Sequence, residues 1–110
     1  MKENKIMYVT MVTDEFKDKF DEVYKNQYGL NTKKDVIFIF STVAKDLGKD
    51  YLKSIDQRIF KQSGNRRYAV TYEGYEAEYI EEVKESLGIK KKEHFLKYLM
   101  YLVINYKEVI

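Results

Sequence analysis

The chain has 110 residues, 45% hydrophobic and 35% charged, with a formal net charge of +2 at pH 7; this describes one domain sharing one core and excludes a disordered chain. No cysteine and a single histidine, His94, leave no disulfide and too few nitrogen and sulfur ligands for a zinc or iron site, so neither metal nor cofactor is expected. No segment approaches the roughly 20 apolar residues that span a bilayer, and no apolar signal region follows Met1-Lys2-Glu3-Asn4-Lys5, which points away from membranes and to the cytoplasm.

Residues 6 to 12, Ile-Met-Tyr-Val-Thr-Met-Val, are of strand type and strand length. Thr13 followed by Asp14 and Glu15 forms a helix start, with a capping hydroxyl and acids where the helix dipole favours them. Phe16, Phe20, Val23, Tyr24 and Gln27 mark about three helical turns, ending at Gly29 in the left-handed conformation that glycine takes most easily. Asn31 or Thr32 caps a second helix, through Val36, Ile37, Ile39, Phe40, Val43, Ala44 and Leu47, so apolar that burial on most sides follows. Gly48 punctuates it. Tyr51, Leu52, Ile55, Ile59 and Phe60 fall at helical spacing, so residues 48 to 65 read as a linker with an extra helix, closed by the turn Ser63-Gly64-Asn65.

The order then repeats, with a strand from Arg66 or Arg67 to Tyr72, a helix from Glu73 to Leu87, a break at Gly88, and a helix from Lys91 to about Lys107. Gly29 and Gly88 lie 59 residues apart, and at that offset Phe16 falls on Tyr75, Phe20 on Tyr79, Val36 on Phe95 and Phe40 on Leu99. Burial type coincides more often than identity, which is what a shared fold imposes first. The fold class is therefore α+β, mainly α, in one domain of two strand-helix-helix repeats, residues 6–47 and 66–107. A lone strand with two helices cannot satisfy its own edges, so the obvious partner of each repeat is the other. Charge is unevenly spread. Six glutamates and one lysine occupy residues 73 to 85, between the basic runs Arg66-Arg67 and Lys90-Lys91-Lys92.

Strand, glycine-apolar-polar junction (Gly29-Leu30-Asn31-Thr32 and Gly88-Ile89-Lys90-Lys91) and apolar second helix, in duplicate, resemble the ribbon-helix-helix family of DNA-binding regulators, the Arc and MetJ type. Two copies in one chain look like the tandem regulators of archaeal viruses, and zero proline with abundant lysine, glutamate and tyrosine suits a hot environment. The resemblance implies an intramolecular pseudo-dimer whose two-stranded antiparallel ribbon enters the major groove of double-stranded DNA. In family register it turns Tyr68, Val70 and Tyr72 inward and leaves Arg67, Ala69 and Thr71 to face bases; Arg67 suits a guanine edge and Thr71 a base or thymine methyl. In the first copy it turns Val9, Met11 and Thr13 inward and Tyr8, Thr10 and Val12 outward. That outward set is less polar than is usual in the family, and a slipped register or a purely packing strand is its alternative.

The resemblance also implies phosphate contacts at the start of each second helix, from Asn31, Thr32 and Lys33 in one copy and Lys90, Lys91 and Lys92 in the other. The expected function is sequence-specific transcription regulation, most naturally repression by occupying a promoter. A protein-interaction module that keeps the fold without DNA binding is the alternative. An antitoxin-like regulator is a third reading, but the last helix leaves almost no residues for a toxin-binding tail. Self-association along DNA, or exchange of halves between two chains, stays open. The chain offers no phosphate-cradling glycine loop and no nucleophile with a base, which argues against an enzyme. His94 reads as partly packed or solvent-facing.

Overall fold

A computed structural model describes residues 5–29 and 31–106; Leu30, Lys107 and the remaining terminal residues lie outside the described set. The elements are β1 (Lys5–Val12), α1 (Asp14–Tyr28), α2 (Lys33–Ser54), a short 3-10 helix (Gln57–Phe60), β2 (Arg66–Glu73), α3 (Gly74–Ser86) and α4 (Lys92–Asn105). The fold is α+β and mainly helical. β1 and β2 form a two-stranded antiparallel sheet in which Tyr8 stands opposite Val70, Val9 opposite Ala69 and Thr10 opposite Tyr68. No helix among the described residues is long and apolar enough to cross a membrane.

Local chemistry accounts for most of the boundaries. Thr13 caps α1, its hydroxyl accepting from the Phe16 amide at 3.2 Å, and Thr32 caps α2 by accepting from the Asp35 amide at 3.1 Å. At the end of α3, Gly88 takes φ +74°, and the amides of Gly88 and Ile89 turn back to the carbonyls of Glu85 and Lys84. Those two bonds satisfy carbonyls the helix would otherwise leave unpaired. Gly29 behaves differently from the expectation: it keeps a right-handed φ of −60° and ψ of −12°, so α1 ends without a left-handed residue. Gly48 does interrupt its helix, with φ +72° and ψ −172°, but helical structure resumes at once and runs to Ser54. The expected linker helix is thus split into the tail of α2 and the 3-10 turn, whose Asp56 cap accepts from the Arg58 amide at 3.0 Å.

The helices pack across the two strand-helix-helix segments. α1 leans on α4, α3 on α2, α2 on α4, and α4 lies along β1. Neither segment closes a core by itself, since each supplies helices that cover the other. α4 is the most enclosed element, with all six residues from Phe95 to Met100 buried, because β1, α1, α2 and the 3-10 helix surround it. Around it gather Phe20, Ile37, Phe40, Ile80 and Leu102.

Candidate nucleic-acid interface

Strand pleating sends alternate residues to opposite faces of the sheet. The inner face of β2 carries Tyr68, Val70 and Tyr72, all buried, and its outer face Arg67, Ala69 and Thr71, as the register expected. β1 is the reverse of the expectation. Tyr8, Thr10 and Val12 are buried at 1–2% exposure, while Met7, Val9 and Met11 face outward. Tyr8 packs its ring 5.6 Å from Phe95 and donates a 2.7 Å hydrogen bond to Glu81, so neither its ring nor its hydroxyl is offered to a ligand. Burial and the Glu81 carboxylate push its phenol pKa far up.

The reason for the slip is one residue of length. Val12, the last inward residue of β1, precedes the start of α2 at Lys33 by 21 positions, whereas Tyr72 precedes the start of α4 at Lys92 by 20. Counting back from Gly29 at the offset of Gly88 therefore lands one residue late and inverts every side chain of the strand. Pairing Tyr8 with Tyr68, an offset of 60, would have placed the inner face correctly, and the alternation Tyr-x-Thr-x-Val beside Tyr-x-Val-x-Tyr was the available signal.

The outer face is thus Met7, Val9 and Met11 beside Thr71, Ala69 and Arg67, cross-strand neighbours in that order. An ion pair between Lys5 and Glu73, 3.4 Å apart, closes one end. Arg67 is exposed opposite Met11 at the other, and its neighbour Arg66 is held by Asp14 at 3.2 Å.

The starts of α2 and α4 flank opposite ends of this ribbon. The Tyr72 hydroxyl donates at 2.6 Å to the Lys34 carbonyl in the first turn of α2, and Met11 shares a groove with Lys91 and Glu93 at the start of α4. The two ends differ chemically. At α2, the Thr32 hydroxyl is already used as a cap, Asp35 adds negative charge, and Lys33 is held 3.0 Å from Asp21 with its ammonium 5.7 Å from the Tyr24 ring. Asn31 is exposed, and its carbonyl accepts from the Tyr24 hydroxyl. At α4, Lys90, Lys91 and Lys92 are all exposed and no side chain caps the helix, although Glu93 puts a carboxylate in its first turn as Asp35 does in α2. Met11 lies opposite Arg67 and lines the same groove as Lys91, so the two basic runs of the sequence flank the same end of the ribbon.

His94 is half-buried, its ring 5.4 Å from that of Phe60, and burial lowers its pKa. Lys61 and Lys97, which the sequence reading passed over, also line the groove beside Met11. No protein-family model, curated protein or solved structure matches the chain.

Proposed function

We propose that the chain is a DNA-binding transcription regulator of the ribbon-helix-helix kind, in which its two strand-helix-helix segments form a pseudo-dimer within one polypeptide and the ribbon enters the major groove. The observation that carries this reading is a two-stranded antiparallel ribbon whose outer face is uncovered, with the starts of α2 and α4 at its two ends. A ribbon of that width fits a major groove, and helix starts are natural phosphate seats. Arg67, Ala69 and Thr71 remain base-facing residues, and Met7, Val9 and Met11 replace Tyr8, Thr10 and Val12, with methyl and thioether groups suited to thymine methyls. Since the two strands present different side chains, one molecule reads an asymmetric site. Occupying a promoter represses it without further chemistry.

The test is salt-titrated binding to duplex DNA from the source genome, with Arg67→Ala and Lys91→Ala as variants. The reading requires affinity that falls steeply with salt, relaxed sequence preference in the first variant and uniformly weaker binding in the second. Absence of binding at low salt would sink it.

A protein-interaction module is the second reading, and one observation favours it: β1 presents three apolar side chains outward, with Met7 51% exposed. A protein covering the ribbon would bury them with no dependence on salt.

A further inference from the structure

The start of α4 and the segment leading into β2 enclose an open groove of about 410 Å3, with Lys61, Ser63, Lys91, Glu93, His94 and Lys97 among its walls. Lys97 is the unusual member. It is only 6% exposed, and among the described residues its ammonium has one hydrogen-bond partner, the carbonyl of Gln62. An ammonium carries three N–H donors, and a charge withdrawn from water with a neutral acceptor alone is costly. Glu93, one turn earlier on the helix, offsets this only in part: its charge favours the ammonium through space, but the carboxylate is 54% exposed and, among the described residues, makes no ion pair with Lys97.

Against the single carboxylate of Glu93, the other polar walls of the groove are basic or neutral. Lys61 and Lys91 are exposed at its rim, Ser63 brings a hydroxyl, and the first turn of α4 lacks a side-chain cap. The opposite ribbon end has no counterpart, since Thr32 caps α2 and Asp21 neutralises Lys33 there.

We propose that this groove is a binding site for a phosphate group, gripped by the ammonium groups of Lys97, Lys61 and Lys91 and the hydroxyl of Ser63. A tetrahedral dianion or a phosphodiester supplies the acceptors that Lys97 lacks, and the surrounding lysines attract it. The residues come from the linker and from α4, so the site belongs to one end of the molecule only. The phosphate is either part of a DNA backbone or carried by a free small molecule, and the proposal stands whether or not the ribbon reads bases.

The experiment follows backbone amide shifts of the full chain on titration with inorganic phosphate against chloride at constant ionic strength, for the wild type, Lys97→Met and Lys61→Ala. Saturable shifts confined to residues 61–63, 91–94 and 97, weakened about tenfold or more in either variant, are expected. If Lys97→Met does not fold, Lys61→Ala, an exposed position, carries the comparison. Shifts spread evenly over surface lysines, or unchanged in Lys61→Ala, overturn the site. DNA titration then separates the sources. A salt slope smaller by about one in Lys61→Ala identifies a backbone phosphate. An unchanged slope in Lys61→Ala, with localised phosphate shifts in the wild type that this variant weakens, identifies a free phosphorylated ligand. Localised phosphate shifts in a protein that binds no DNA at all would keep this site and remove the regulator reading.

Discussion

The hydroxyl of Tyr72 donates to the carbonyl of Lys34 across 2.6 Å, fastening the end of β2 to the first turn of α2. Burial pushes the Tyr72 phenol pKa up, which favours the protonated form that donates. The Lys34 ammonium, 5.4 Å over the same ring, adds a second link. Tyr72→Phe removes the hydrogen bond and keeps the ring, so it should lower stability by about 1 kcal/mol, read from the urea midpoint at unchanged slope. If the ribbon binds DNA, the same variant should also weaken phosphate contacts at α2 more than those at α4.

Gly64 approaches the end of β1 so closely that a Cβ placed on it would stand 2.2 Å from the Val12 carbonyl oxygen and 2.5 Å from the Thr13 Cα. Both are backbone atoms and cannot swing aside. Gly64→Ala should cost about 1–3 kcal/mol through forced backbone shifts, and a thermal melt indistinguishable from wild type would show that the 63–65 turn is not pressed against β1.

Thr10 lies at the middle of the inner ribbon face, 2% exposed, with its hydroxyl unpartnered among the described residues. A buried hydroxyl without a partner costs about 1–3 kcal/mol. Thr10→Val removes it at nearly constant volume, so the variant should be more stable than wild type by a fraction of that amount, with DNA preference unaltered. A change in sequence preference would instead return Thr10 to the outer face.

The outer face makes the complementary prediction. Arg67→Ala should cost about 1–3 kcal/mol at one base position, and Met7→Ala should change preference at the opposite end of the site. Tyr8→Phe should lower stability by leaving Glu81 without its donor, and leave preference alone. The pair Met7→Ala and Tyr8→Phe thus decides the register of β1 in solution by selection on random duplex DNA.

Asp21 predicts a pH effect. Burial alone would raise its pKa, but hydrogen bonds from Lys17 at 2.8 Å and Lys33 at 3.0 Å outweigh it and hold the carboxyl below its ordinary value of 3.8. A carboxylate with a lower pKa folded than unfolded stabilises the fold above the unfolded value, and that contribution disappears as pH falls through 3.8 to the folded value. Asp21→Asn should therefore be less stable than wild type near neutrality, with the gap closing on acidification below about pH 4. A gap that stays constant with pH would show that the two lysines do not act on this carboxylate.

Much of the fold was legible because its signals are local. Thr13 and Thr32 are capping residues wherever a helix follows, the β-branched and aromatic runs at 6–12 and 66–72 are strands, and Gly88 ends its helix as glycines do. The face of β1 was misread by assuming the same spacing before Gly29 as before Gly88, whereas Gly29 was misread because a glycine that ends a helix need not take a left-handed φ. A single added residue between the starts of α1 and α2 keeps α2 and α4 at an offset of 59 but puts β1 and α1 at 60 from β2 and α3, where buried Phe20 meets buried Ile80 instead of half-buried Tyr79. Helices tolerate that because their apolar stripe is broad, whereas a strand inverts completely on a shift of one.

By itself, then, the amino-acid sequence determined most of the segments that are helix or strand and which residues are apolar enough for a core, since propensity, capping and periodicity act over a few neighbouring residues. Only the tertiary structure decided which face of β1 meets the core, that α4 and not α2 is the element buried on all sides, and that Lys61, Lys91 and Lys97 converge on one groove. Those outcomes depend on cross-strand register and on which helix the neighbours happen to surround, relationships between residues as far apart as Met11 and Lys97 that no local pattern encodes.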